Sequence, residues 1–85
     1  MRIFHTEKFE DNIANLPLGI KRIYKKQEDI FFINWKDPRL HTKKLKGDKN
    51  IFSFRITRQY RVLFILLEEN SSLFISVGHR KDIYE

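Results

Sequence analysis

Apolar residues recur along this chain with a helical period up to residue 33 and a period of two after residue 50. Before the first helical run, Arg2 to His5 alternate as a short strand. Thr6, with Glu7 and Glu10 behind it and Phe9 three positions on, has the pattern of a helix start. Phe9, Ile13 and Leu16 then fall on one helical face, and Pro17 ends the run because it lacks a backbone donor and disfavours helical dihedrals at Leu16. A second helix is predicted from Leu18 to Ile33, with Ile20, Ile23, Tyr24 and Phe31 on the inner face and Lys21, Lys25, Lys26 and Glu28 on the outer one. Its last four residues, Ile30 to Ile33, are apolar on every side, which fits either a deeply buried helix end or a break into a strand. From Lys36 to Asn50 periodicity stops and a basic connecting loop is expected. Three strands follow, Ile51 to Thr57, Tyr60 to Glu68 and Ser72 to Gly78, separated by the turn-like segments TRQ and EENSS. The expected fold class is α+β, one domain over residues 1–85: an N-terminal strand, a helical hairpin, and a three-stranded antiparallel meander in one small sheet with both helices on one face.

Register in the first hairpin follows from loop length, because a slip of one residue sends every side chain to the opposite face. A two-residue Arg58-Gln59 turn lacks the Gly or Asn that such turns demand, and it would place Arg61 among Phe52, Phe54 and Ile56. A three-residue loop instead puts Phe52, Phe54, Ile56, Val62, Phe64 and Leu66 on the core face and sets Arg55 opposite Arg61 on the other. In the last strand Leu73, Ile75 and Val77 are expected in the core, leaving Ser76, Gly78 and Arg80 on the open face. Three arginines then converge on the side away from the helices.

Charge sharpens this picture. Seventeen Lys and Arg stand against eleven Asp and Glu, a net charge of +6 with a sequence pI near 9.8, which favours a polyanionic or acidic partner. Five lysines and an arginine lie within the fourteen residues from Lys36 to Lys49, anchored only by Leu40 and Leu45. An ordinary solvated loop and a phosphate-tracking segment are the two readings of that run. The chain has no cysteine, which excludes disulfides and thiol nucleophiles, and His5, His41 and His79 are too scattered for a metal-ligand spacing. No cofactor or metal is therefore expected. Neither a signal peptide nor a membrane span is readable, so the cytoplasm is the expected compartment.

Arginine presents planar, permanently charged donors to phosphate, which suits Arg55, Arg61 and Arg80 for binding and for stabilising a transition state. His79 and Tyr84 could move protons. Tyrosine, with an ordinary pKa of about 10, would need the field of neighbouring arginines to serve as a base. A capping histidine and a tyrosine tucked under the sheet are the structural alternatives. His41 is a candidate auxiliary acid or substrate contact, whereas His5 reads as a strand-end surface residue. Trp35, with Phe31 and Phe32, could stack on a base or pack in the core.

The ordered set DPRLHTKKLKG, FRITRQYRV and GHRKDIY, following a strand and a helical hairpin, resembles the RelE/ParE superfamily of type II toxin-antitoxin toxins over nearly the whole chain. The resemblance implies a RelE-like fold and, in the RelE and YoeB branches, translation inhibition by ribosome-dependent, metal-independent cleavage of messenger RNA through the ribose 2'-hydroxyl. By similarity Arg61 matches the arginine of the family's Y-R-[LV] strand, Arg55 that of the R-I-T hairpin, and Tyr84 the C-terminal aromatic. His79 and Arg80 lie where relatives place basic or histidine residues. Arg39, His41, Lys43, Lys44 and Lys46 would contact RNA. The implied partners are a cognate antitoxin protein and the ribosome, with its ribosomal RNA and A-site message.

Two departures leave the general base open between His79 and Tyr84. RelE carries lysines where this chain has Phe52, Ser53 and Phe54, and the glutamate of YoeB aligns with Pro38 or Arg39, with Asp37 the nearest carboxylate. ParE-like members of the superfamily inhibit DNA gyrase without cleaving anything, and that is the alternative function.

Overall fold

A computed structural model of the chain describes residues 1–45, 47 and 50–83; Lys46 and Tyr84 lie outside the described residues. Thr6 ends the first strand, β1 (Arg2–His5), and caps the first helix, α1 (Glu7–Ala14). Its Oγ1 accepts from the Phe9 amide at 3.0 Å and its hydroxyl donates to the Ile75 carbonyl at 2.7 Å, so one side chain starts the helix and ties it to the last strand. Pro17 opens α2 (Leu18–Ile33), whose observed bounds are those read from the periodicity. The end of α2 stays helical, with Ile30 and Phe31 buried while Phe32 and Ile33 are exposed. Ile23, expected inward, is 40% exposed.

The basic segment is more structured than a loop. It contains a short 3-10 turn at Pro38–Leu40 and a two-residue strand, β2 (Lys43–Lys44), pairing with β3 (Ile51–Arg55). With β4 (Tyr60–Leu67) and β5 (Ser71–His79) these form a five-stranded sheet of order β1-β5-β4-β3-β2, in which only β1 runs parallel to its neighbour. The chain then turns into a short helix, α3 (Arg80–Ile83). The expected three-stranded meander is present as β3 to β5, but β1 and β2 extend the same sheet at its two edges. Among the described residues no helix is long and apolar enough to cross a membrane.

Five phenylalanines, Phe9, Phe31, Phe54, Phe64 and Phe74, are fully buried between the helices and the sheet. Phe31 sits at their centre, with ring centroids 5.2 Å from Phe54 and 4.9 Å from both Phe64 and Phe74, the last two edge to face.

Phe74 is where the alternation read from the sequence fails. Leu63 pairs with Ser76 but Phe64 pairs with Phe74, so Ile75 is an extra residue, a β-bulge. Leu73 therefore faces away from the helices, opposite Ile65 and Phe4, whereas Phe74 and Val77 both enter the core, which two residues three apart cannot do on an unbroken strand. The bulge is held from α1: Thr6 bonds the Ile75 carbonyl, and Asn12 Oδ1 accepts from the Val77 amide at 3.1 Å.

A polar cluster joins β1 to both long helices. The His5 ring nitrogens face Glu10 at 2.7 Å and Glu28 at 3.2 Å, the Tyr24 hydroxyl donates to Glu28, and the imidazole lies against Phe9 and Phe74. Burial by itself would raise the Glu28 pKa, but the hydrogen bonds from Tyr24 and Lys25 and the charges of Lys25 and His5 outweigh it and hold the carboxyl below the usual range. Burial, and then the bond to Glu28, push the Tyr24 hydroxyl upward, so it stays a donor. A carboxyl whose pKa is depressed by folding stabilises the fold above its unfolded value, about 4.3, and loses that contribution as pH falls through the folded value. Glu28→Gln is therefore expected to narrow the stability gap between neutral and acidic solution in urea titrations. Parallel pH profiles for the variant and the parent would remove Glu28 as a source of acid sensitivity.

Ser72 is fully buried, and its hydroxyl has no hydrogen-bond partner among the described residues. Its neighbours across the sheet are Ile3 and Leu66. Ser72→Ala is expected to be stabilising by about 1 kcal/mol, a rise of roughly 4 to 8 °C in Tm by thermal melting, because a desolvated hydroxyl is removed at little change in volume. A lower Tm would mean that the hydroxyl contributes a bond.

Candidate phosphate-binding site

The β3–β4 hairpin closes as its sequence requires. Ile56 N donates to the Tyr60 carbonyl at 2.8 Å around the three residues Thr57 to Gln59. Thr57 Oγ1 accepts from the amides of Gln59 at 3.3 Å and Tyr60 at 3.2 Å, so a threonine side chain organises a turn that has no glycine. The consequence is the expected register: Phe54 opposite Val62 on the helix side, and Arg55 opposite Arg61 on the other.

Arg61 is only 6% exposed, but its burial is on the face away from Phe54, whose cross-strand neighbour is Val62. Its Nη2 donates weakly to the Arg58 carbonyl at 3.4 Å. The Nε atoms of both Arg55 and Arg61 are buried without a hydrogen-bond partner among the described residues, and no described carboxylate lies within 4.0 Å of either guanidinium. Like charges directly opposite each other across a sheet repel, and buried donors are normally satisfied. An anion with several acceptor oxygens answers both defects at once.

Next to Arg61 in the sheet stands Gly78, and a methyl group built there would meet no described atom within 4 Å, so the floor beside the arginine is open. Lys43 in β2 pairs with Ser53 and takes the same face as the two arginines. The outer face thus presents Lys43, Arg55 and Arg61 from three adjacent strands.

The remaining candidates are placed differently. His79 pairs with Tyr60, its ring 5.6 Å from the tyrosine ring and near-perpendicular to it, at a register position belonging to the helix side rather than to the arginine face. Its Nδ1 accepts from the Lys81 amide at 3.2 Å, which leaves the proton of the neutral ring on Nε2. Arg80 was expected to continue the alternation. The strand ends at His79, however, and Arg80 begins α3, where that alternation no longer applies. What the structure does provide is a backbone tether, with Arg80 N donating to the Gln59 carbonyl at 2.6 Å and holding the C-terminal turn to the hairpin tip. The arginine convergence is thus a pair in register plus a third residue anchored beside their loop.

The basic segment also divides. Arg39 is paired within its own turn, its Nε and Nη2 meeting the Asp37 carboxylate at 3.0 and 2.9 Å while the side chain stays largely exposed. Those hydrogen bonds and the guanidinium charge draw the Asp37 pKa down to about 2. The pair borders a hollow with Lys26, Asp29 and Ile33 of α2, on the helix side. His41 is exposed in a left-handed conformation (φ 49°), and Lys43 and Lys44 are exposed on β2. Sequence reasoning missed the alignment of Lys43 with the arginines and the role of Thr57. His5 is the exposed strand-end residue it was expected to be, but its partners Glu10 and Glu28 were not foreseen.

No family model matches the chain, and no curated protein matches it. Solved structures do. A chain of the RelB-RelE antitoxin-toxin complex from Methanococcus jannaschii superposes with a TM-score of 0.79 at 24% identity, over 96% of this chain and 95% of that one. A YoeB/ParE toxin from Agrobacterium tumefaciens gives 0.79 at 15% identity over 94% and 99%. YafQ from E. coli gives 0.76 at 14% over the full length of both chains. A sheet with two helices on one face and an arginine pair on the other is thus built on the fold of the RelE, YoeB and YafQ toxins.

Proposed function

We propose that this protein is the toxin of a type II toxin-antitoxin system and that it acts in the cytoplasm as an endoribonuclease, cutting messenger RNA on the ribosome without a metal ion. The observation that carries this reading is the cross-strand pair Arg55–Arg61, each with a buried Nε that has no hydrogen-bond partner among the described residues. Two guanidiniums held in register suit a phosphodiester, whose charge grows as the neighbouring ribose 2'-oxygen attacks phosphorus. In that step the 2'-hydroxyl gives up its proton, an O–P bond forms, and the bond to the 5'-oxygen breaks. The products are a 2',3'-cyclic phosphate and a 5'-hydroxyl.

Arg61 and Arg55 hold the phosphate oxygens and Arg80 adds charge beside the hairpin. With Nδ1 accepting from the Lys81 amide, the His79 ring presents Nε2–H as a hydrogen-bond donor to the leaving 5'-oxygen rather than as a base, and water supplies the proton that completes the 5'-hydroxyl. Tyr84 is then the candidate base. Lys43, Lys44 and Lys46, with His41, would contact ribosomal RNA. An antitoxin would cover the outer face, where Phe4, Leu73, Ile65 and Ile51 form an apolar row beside the arginines.

Mapping RNA ends in a translating extract tests the reading. Discrete new ends within translated messages, absent when translation is blocked, are expected. Intact messages together with inhibited gyrase supercoiling would replace it with the ParE-like alternative.

A further inference from the structure

On the helix side of β2, opposite the face that carries Lys43, lies a pocket of about 340 Å³ lined by Trp35, Lys36, Thr42, Lys43, Lys44 and Phe52. Its size falls within the roughly 300 to 1,000 Å³ of small-ligand sites. Trp35 is half-buried, and its indole is fixed by near-perpendicular contacts with Phe52 (centroids 5.6 Å apart, 76°) and Phe64 (6.2 Å, 77°). The Thr42 hydroxyl donates to the Trp35 carbonyl at 2.7 Å and holds the following segment against the ring.

Over the indole stands the Lys36 ammonium, 5.0 Å from the ring centroid. That is a flexible side chain, which a flat aromatic ligand can displace. Lys36, Lys43 and Lys44 have no carboxylate within 4.0 Å among the described residues, so their charge is available to an anion. The register puts Lys44 opposite Phe52, on the Trp35 side, and Lys43 opposite Ser53, on the arginine side. One edge strand therefore carries cations to both faces of the sheet.

We infer that this pocket is a nucleotide subsite in which one base of single-stranded RNA stacks on Trp35, with its flanking phosphates on Lys36 and Lys44, while the strand crosses the β2 edge past Lys43 towards Arg55 and Arg61. The inference rests on reading the chain as an RNA-binding protein. It adds to that reading a base-stacking contact away from the arginine pair. A rigid aromatic beside mobile lysines is the combination that binds single strands with little sequence preference, since every base offers a π face.

Trp35 is the sole tryptophan of the chain, so its fluorescence reports this pocket alone. A short oligoadenylate is titrated into the intact protein, with an abasic sugar-phosphate chain of equal length as the probe that supplies phosphates without bases. The oligoadenylate is expected to quench Trp35 emission and to bind about five- to a hundredfold more tightly than the abasic chain, the range of one base–aromatic stack. Lys44→Glu should weaken oligoadenylate binding about tenfold or more at low salt, and the loss should shrink as salt is raised. Equal binding of the two probes, or saturation by anisotropy without any change in emission, overturns the subsite. Cleavage assayed in parallel keeps the two conclusions apart: quenching without cleavage retains the subsite and removes the nuclease, whereas cleavage without quenching does the reverse.

Discussion

Arg61→Ala is expected to reduce RNA cleavage in translating extracts by a hundredfold or more, and to do so without unfolding the protein. The size of the loss follows from removing one preorganised donor to a phosphate whose charge grows in the transition state, typically a factor of about 10² to 10³. The unchanged fold follows from the position of Arg61. It is 6% exposed, faces Arg55 across the strands, and makes only a 3.4 Å bond to the Arg58 carbonyl. Its removal relieves a like-charge contact and takes away a buried donor with no partner among the described residues, so the melting temperature should hold or rise. Arg61→Lys keeps the charge but loses the fork of donors, and should fall between alanine and the parent. Rate and melting curve must be measured on the same preparations. Full activity in the alanine variant would discard the phosphate clamp, and lost activity with a collapsed melting transition would mark Arg61 as structural instead.

Phe31→Ala is expected to be the most damaging core substitution, destabilising the fold by about 3 to 5 kcal/mol. Phe31 is fully buried and touches Phe54, Phe64 and Phe74, which come from three different strands, so its ring is what fastens α2 to the sheet. In a domain of ordinary stability, about 5 to 15 kcal/mol, that loss is a large fraction of the whole. Phe32, its chain neighbour, is 56% exposed, and Phe32→Ala should change stability by about 0.5 kcal/mol or less. Urea titration of the two variants side by side makes the comparison. Similar effects from both would mean that the sheet does not depend on α2 through Phe31.

The hairpin shows how far local pattern reaches. Six apolar residues between Phe52 and Leu66 can share a face only if the loop between them is odd, and that requirement places Arg55 opposite Arg61 without knowledge of any other part of the chain. The bounds of α2 were equally local, because Pro17 starts the helix and the apolar stripe carries it to Ile33. The same reasoning failed in β5. The contacts that hold Ile75 in a bulge come from Thr6 and Asn12, sixty-nine residues away from Ile75 and sixty-five from Val77, and no periodicity within Ser71–His79 encodes them. Alternation then misplaced Leu73 and Ile75, although it placed Ser76, Val77 and Gly78 correctly.

The site divides along the same line. Charge, the arginine pair and the resemblance to RelE-like toxins were legible in the chain, since each depends on residue type and on spacing along a single hairpin. Three features required the folded molecule: β2 as an edge strand, Lys43 on the arginine face, and His79 turned to the helix side. Each of these is set by which strand lies beside which and by where a strand stops. Those choices arise from packing among residues distant in sequence, whereas a periodic pattern specifies only which side of its own element a residue occupies.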